Sequence, residues 1–376
     1  MSETEKPRFG GVRHFLRKNP VLCVAFLLAV ATAFLVPPDA DYRSYFDLKT
    51  LSCLFCVLAV VCALKNIRFF SCLAEKLVTL TGNLRAAVLA LVCITFIGSM
   101  LIANDMALLT FLPLGYFLLS TTGTERYMAP VFILQNIAAN LGGMLTPFGN
   151  PQNLYLYSFF NIPDGEFFSI MFPPFLLSVA LIVGCCFFLP REKIVLRQSE
   201  TPTPPLPRTL LYLTLFALAI VMVFRVIPYW IGLIVIPLVL LFADRRALAQ
   251  VDYPLLLTFV CFFIFAGNLS RVEPVRAWLG ELLGKNTLVV SAFSCQVISN
   301  VPSAILLSRF TGDYRDLLRG VNIGGTGTLI ASLASLITFR EYVSHNPDRK
   351  AYYLGVFSAF NFAFLAVLLV FCSLIG

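Results

Sequence analysis

Two asparagines stand where an apolar chain can least hide them. Asn104 lies in MLIANDMALL (100–109) and Asn300 in CQVISNVPSAILL (295–307), each between apolar runs. A carboxamide accepts through its oxygen and donates through its nitrogen, so it suits a cation, an anion or a turn cap. Asp105 follows Asn104. With the other carboxylates allocated to loops and termini, it is the one acid left at membrane depth, and no Lys or Arg joins it there. An ionisable group at that depth is a functional-site candidate by default. As a carboxylate Asp105 helps neutralise a cation; protonated, it carries a proton; bonded to backbone N–H groups, it is structural. It repels a bare anion, so an anionic ligand needs a bound cation or a protonated Asp105.

Two further segments break the rules for a membrane helix. They are ANLGGMLTPFGNPQN (139–153) and VNIGGTGTLIASLAS (321–335). Asn140, Gly142, Gly143 and Thr146 of the first match Asn322, Gly324, Gly325 and Thr328 of the second, with the spacing N-x-G-G-x-x-T in both. Non-helical backbone survives in hydrocarbon only inside protein or beside a cavity. A helix broken there offers free carbonyls, which suit Na⁺, and free N–H groups, which suit an anion. The glycines allow close approach to a ligand. Asn104 and Asn300 are the leading ligands, with Gly142, Gly143, Gly324 and Gly325 as the cation loops. Ser299, Thr146, Asn150, Asn153, Thr326 and Thr328 are further substrate contacts. Ser99, Gln296 and Ser332 join them, although hydroxyls in membrane spans also bond back to their own helix.

The elements that must hold these residues are membrane helices. The chain has 376 residues, of which 59% are hydrophobic and 13% charged. Soluble domains carry about 25% charged residues. Spans are expected at 21–36, 49–64, 168–189, 209–226, 228–243, 254–269 and 351–375. Hairpins are expected at 86–119 and 286–308, interrupted helices at 128–161 and 320–338, and amphipathic stretches at 69–80 and 272–284. The order of elements repeats across a connecting span. The expectation is an all-α polytopic fold built as an inverted-topology repeat, with two re-entrant hairpins and two broken helices. Residues 1–20 form an N-terminal segment, 21–190 the first repeat, 191–227 a linker and connecting span, and 228–376 the second repeat. Basic loops at 65–85, 190–208 and 244–252 put the N-terminus in the cytoplasm and the C-terminus outside.

Several functions fall away. The net charge of +8 is spread over short loops, as the positive-inside rule predicts, and does not suggest nucleic acid. The eleven cysteines are scattered, mostly in apolar runs, where they act as small hydrophobes. The only histidines, His14 and His345, lie in terminal or loop positions, which argues against an intramembrane enzyme. No phosphate-binding G-x-x-x-x-G-K-[ST] occurs, so the chain carries no ATPase motif of that kind.

At the residues quoted, the chain resembles the ion transporter superfamily. That group includes arsenite permeases, sodium–proton antiporters of the same fold, citrate carriers and divalent anion–sodium symporters. The resemblance runs from about Val21 to Gly376. It implies that Asn104 and Asn300 contact cation and substrate, and that Gly142–Thr146 and Gly324–Thr328 complete the cation sites. It also implies a homodimer with a fixed scaffold and a sliding transport domain. The tips differ from the Ser-Asn-Thr of dicarboxylate symporters. The Asn104–Asp105 pair looks more like the arsenite and sodium–proton branches, and TPFGNPQN resembles bacterial citrate transporter-like permeases. The expected function is secondary active transport of a small organic or inorganic anion across the inner membrane, coupled to Na⁺ or H⁺, with no cofactor. Arsenite or antimonite efflux, Na⁺/H⁺ exchange and an ion channel are the alternatives.

Overall fold

The computed structural model describes residues 19–79, 81–194 and 203–375. Most of the N-terminal segment, and residues 195–202 of the linker, lie outside them. The described chain is almost wholly helical. Among the described residues, seven helical segments are long and apolar enough to cross a membrane.

One group of helices comprises α1 (Pro20–Leu35), α2 (Leu48–Asn66), α9 (Leu206–Val223), α10 (Tyr229–Ala243), α11 (Arg245–Ala249) and α12 (Tyr253–Ser270). Here α1 packs on α12, and α2 packs on α9 and α10. We call this group the frame. The amphipathic helices α3 (Phe69–Thr79) and α13 (Glu273–Lys285) lead out of it. Each is close to its expected position.

The second group holds the broken elements. The first hairpin is α4 (Leu84–Ile102) and α5 (Asn104–Thr121), and the first broken helix is α6 (Met128–Gly142) and α7 (Pro151–Phe159), followed by α8 (Asp164–Phe187). The second hairpin is α14 (Thr287–Ile298) and α15 (Asn300–Leu307). The second broken helix is α16 (Tyr314–Ile323) and α17 (Leu333–His345), followed by α18 (Lys350–Ile375). The packing pairs recur: α4 with α6 and α14 with α16, α5 with α17 and α15 with α7, α6 with α17 and α16 with α7.

Local sequence sets these boundaries. Asp47 and Asp252 accept from Thr50 N and Leu255 N to start α2 and α12. Asn83 and Asn286 accept from Ala86 N and Val289 N to start α4 and α14. Asp and Asn are favoured in this position because they satisfy a free N–H of the first turn. The second broken helix is longer than the expected 320–338, starting at Tyr314 and ending at His345. Its first turns carry Arg315, Asp316 and Arg319, which lower the hydropathy. Asp313 nevertheless caps the helix through Asp316 N, and Arg319 pairs with Asp316.

Polar contacts group the loops on two faces. On one, Arg271 grips Asp39 and Tyr45, and Tyr314 and Arg315 bond Glu166. On the other, Asn66 bonds Asp244, Arg126 pairs with Glu192, and Tyr116 stacks on His345. Both ends of the first hairpin reach this Asp244 face, while the second hairpin ends at Arg309, which bonds Tyr45 on the Asp39 face.

Candidate functional site

Each hairpin reverses through one residue in a conformation that L-amino acids rarely adopt. Ala103 has φ 62° and ψ 147°; Ser299 has φ 73° and ψ 159°. Neither is glycine, and such backbone costs about 1–3 kcal/mol. The next residue at each turn is the tip asparagine. Asn104 Oδ1 accepts from Asp105 N at 3.0 Å, and Asn300 Oδ1 accepts from Val301 N at 2.9 Å. The oxygen of each amide is therefore engaged with backbone, and each NH₂ is turned toward the breaks. Replacing Ala103 with Gly should raise the thermal midpoint of the purified protein by a few degrees, since the relief exceeds the added chain entropy of about 0.5–1 kcal/mol. A lowered midpoint contradicts the reading of strain.

The tips and breaks meet in a cluster of buried amides. Asn104 Nδ2 donates to Asn140 Oδ1 at 3.1 Å, and Ser332 Oγ donates to the same oxygen at 2.8 Å. Asn150 Nδ2 donates to Asn322 Oδ1 at 3.3 Å, and Asn322 Nδ2 donates to Asn153 Oδ1 at 2.6 Å. Thus α6 and α16 bring Asn140 and Asn322, while Asn150 and Ser332 begin α7 and α17. Two glycines let these elements close up. A Cβ on Gly142 would sit 2.4 Å from Phe96 O and Ser99 Oγ. A Cβ on Gly325 would sit 3.2 Å from Asn300 Nδ2 and 3.9 Å from Asn140 Oδ1, so the second tip reaches the cluster there.

The chain thus holds an enclosed polar centre between two tips and two broken helices, and sequence comparison shows its family. A family model described as Citrate transporter matches residues 15–311. The chain belongs to the citrate transporter family. As a member of that family it is a multi-pass membrane transporter. It is 29% identical to an uncharacterized transporter of Methanocaldococcus jannaschii, over 78% of this chain and 80% of that one. It is 28% identical to the inner membrane protein YbiR of Escherichia coli, over 84% of this chain and 85% of the relative. An uncharacterized transporter of Synechocystis is 23% identical, over 83% and 82%.

Other expected site residues of this citrate transporter family member have local partners. Thr146 Oγ1 donates to Met100 O at 2.6 Å, tying the first break to the first hairpin. Thr326 Oγ1 donates to Ile323 O, and Thr328 Oγ1 to Gln296 O. Ser99 Oγ donates to Phe96 O and Ser299 Oγ reaches Ala331 O at 3.3 Å. The break carbonyls also have donors. Asn153 Nδ2 lies 3.1–3.3 Å from the carbonyls of Gly143, Met144 and Thr146. Gln296 Nε2 lies 2.9 and 3.0 Å from those of Gly324 and Thr326. Asp105 Oδ1 is enclosed without a hydrogen-bond partner among the described residues.

Sequence reasoning placed Asn140 and Asn322 in the matched segments but not among the ligands. It passed over Asn136, which exchanges bonds with Ser335 at 3.3 and 3.5 Å, and Gln135, which donates to Phe111 O. The signal was available. Asn136 and Asn140 are four residues apart and so share a helix face in a run otherwise rich in apolar residues.

Proposed function

We propose that this chain is a secondary active transporter that carries a small organic or inorganic anion across the inner membrane, coupled to Na⁺ or H⁺. One observation carries the reading: the enclosed amide cluster formed by Asn104, Asn140, Asn150 and Asn322, with Asn300 beside it. Such groups are costly in hydrocarbon unless something binds them. The recurring packing pairs support an inverted repeat, with the frame as scaffold and the second group as the moving part. The frame touches the second group chiefly through α12 with α15 and α2 with α7, both of which lead toward the Asp39 face, and less through α2 with α4. An inverted pair that engages its scaffold mainly through one set of halves favours an elevator movement that exchanges the set. The basic loops favour a cytoplasmic Asp244 face. A homodimer is part of the proposal.

The test is uptake in proteoliposomes, with citrate as the first probe because of the family's name. Asn104→Ala and Asn300→Ala should each cut uptake at least about tenfold, since each removes a buried amide donor. Uptake at the wild-type rate in both variants rules the site out. Efflux of a neutral oxyacid such as arsenous acid is the second reading. It is favoured by Asp105 and by a cluster whose hydrogen bonds, among the described residues, include no Lys, Arg or His. Protection of a sensitive host on arsenite separates the two.

A further inference from the structure

Asn140 and Asn322 hold matching places in the two repeats, each two residues before the paired glycines of its own break. The carbonyls and N–H groups that a break frees are ordinarily satisfied by side chains close by. Neither asparagine serves its own break. Asn322 Nδ2 donates to Asn153 Oδ1 at 2.6 Å and to Leu318 O at 2.8 Å, and its Oδ1 accepts from Asn150 Nδ2 at 3.3 Å. Asn150 and Asn153 belong to the first repeat, at the start of α7. Asn140 Oδ1 accepts from Ser332 Oγ, at the start of α17, and from the tip residue Asn104. The same oxygen lies beside Gly325, in the second break. Among the described residues, no side-chain bond of Asn140 reaches 142–153, and none of Asn322 reaches 324–332.

The crossed bonds fall on groups that hold each break in shape. Asn153 Nδ2 spans the carbonyls of Gly143, Met144 and Thr146, and the Asn150 side chain lies against Gly143. Ser332 Oγ accepts from Ala334 N and so caps α17. Asn136, one turn before Asn140, adds a second crossing to Ser335 of α17. Each break is also tied to its own hairpin. Thr146 bonds Met100 O in the first, and Gln296 bonds Gly324 O and Thr326 O in the second. Those ties stay within one repeat, so they cannot carry the state of one break to the other. The crossed bonds can.

We propose that Asn140 and Asn322 are positioning residues that couple the two breaks. Each braces the break of the other repeat, so neither loop loosens alone. A ligand seated against one break is thereby felt at the other. The coupling belongs to the two loops themselves and stands whatever solute the chain carries, so it can fail while the transport reading holds.

The test is hydrogen–deuterium exchange of the purified full-length protein, read by mass spectrometry on peptides covering 143–150 and 324–332. Asn322→Ala should raise exchange in 143–150 about tenfold and in 324–332 by less than about threefold, since it takes buried partners from Asn150 and Asn153. Asn140→Ala should show the opposite pattern. A side chain that only stabilised its own helix would loosen its own break first, so the crossing separates the two roles. Faster exchange mainly in the variant's own break, equal loosening of both breaks, or no change in either overturns the proposal. Wild type decides the matter where neither variant folds. Its two peptides should gain exchange with the same slope as urea is added, because coupled loops open as one unit. Slopes that differ by about twofold or more overturn the coupling.

Discussion

Asn153→Ala destabilises the protein by about 3 kcal/mol, and Gln296→Ala does so by a similar amount, in thermal or denaturant unfolding of the purified chain. Each amide holds one broken helix together. Asn153 Nδ2 serves Gly143 O, Met144 O and Thr146 O, and its oxygen receives Asn322 Nδ2. Gln296 Nε2 serves Gly324 O and Thr326 O, and its Oε1 receives Thr328 N at 2.8 Å. A buried group that loses its partner costs about 1–3 kcal/mol. Gln296→Ala leaves three such groups and Asn153→Ala two, Gly143 O and Met144 O, because Thr146 O keeps Gly149 N and Asn322 Nδ2 keeps Leu318 O; relaxation recovers part of the loss. The arrangement also bears on the proposed coupling. The break carbonyls face amide donors in this conformation, so a Na⁺ ion entering a break, as proposed, would compete with Asn153 or Gln296. A midpoint within about 0.5 kcal/mol of wild type in both variants, as for ordinary surface changes, removes these amides from the account.

The elements were legible because hydrocarbon makes them so. An unbroken apolar run of span length forms a helix there, so α2, α8, α12 and α18 lie within a few residues of expectation. The matched Asn-x-Gly-Gly-x-x-Thr segments led directly to the two breaks. What each polar group does there was less legible. Thr146, Thr326 and Thr328 carry the right chemistry for ligands, yet each has a backbone carbonyl within reach. Sequence gives an amide's position but not its direction. That direction depends on partners far along the chain, as Asn150 depends on Asn322 and Asn322 on Leu318. Asn136 was overlooked for a related reason. Its partner Ser335 is 199 residues away, so nothing local separates it from an isolated amide in an apolar helix. The early start of α16 was hidden by Arg315 and Arg319, whose charge reads as loop until Glu166 and Asp316 are seen beside them.

In the proposed elevator, Arg225→Gln combined with Arg309→Gln shifts the balance between the two transport states by roughly 2 kcal/mol, or about thirtyfold in their ratio. The two arginines join the frame to the second group. Arg225, just after α9, donates to Tyr157 O near the end of α7 and lies 4.1 Å from the Tyr157 ring centroid. Arg309, just after α15, donates to Tyr45 O at 2.8 Å in the frame and lies over the Phe159 ring. Hydrogen bonds from charged groups are worth about 1.5–3 kcal/mol each, and a guanidinium over an aromatic ring adds to that. Both contacts are on the Asp39 face, the same side as α7 and α15, the halves packed against the frame. In the proposed elevator, movement of the second group against the frame must release both arginines. The measurement is the labelling rate of Val301→Cys, next to the second tip, by a membrane-impermeant thiol reagent applied from either face, with the native cysteines replaced. Removing the arginines should change the ratio of labelling from the two faces by about thirtyfold, while Arg→Lys at both positions, which keeps the charge and loses the fork, falls between. An unchanged ratio in a folded double variant means that these contacts bind the two groups equally in both states.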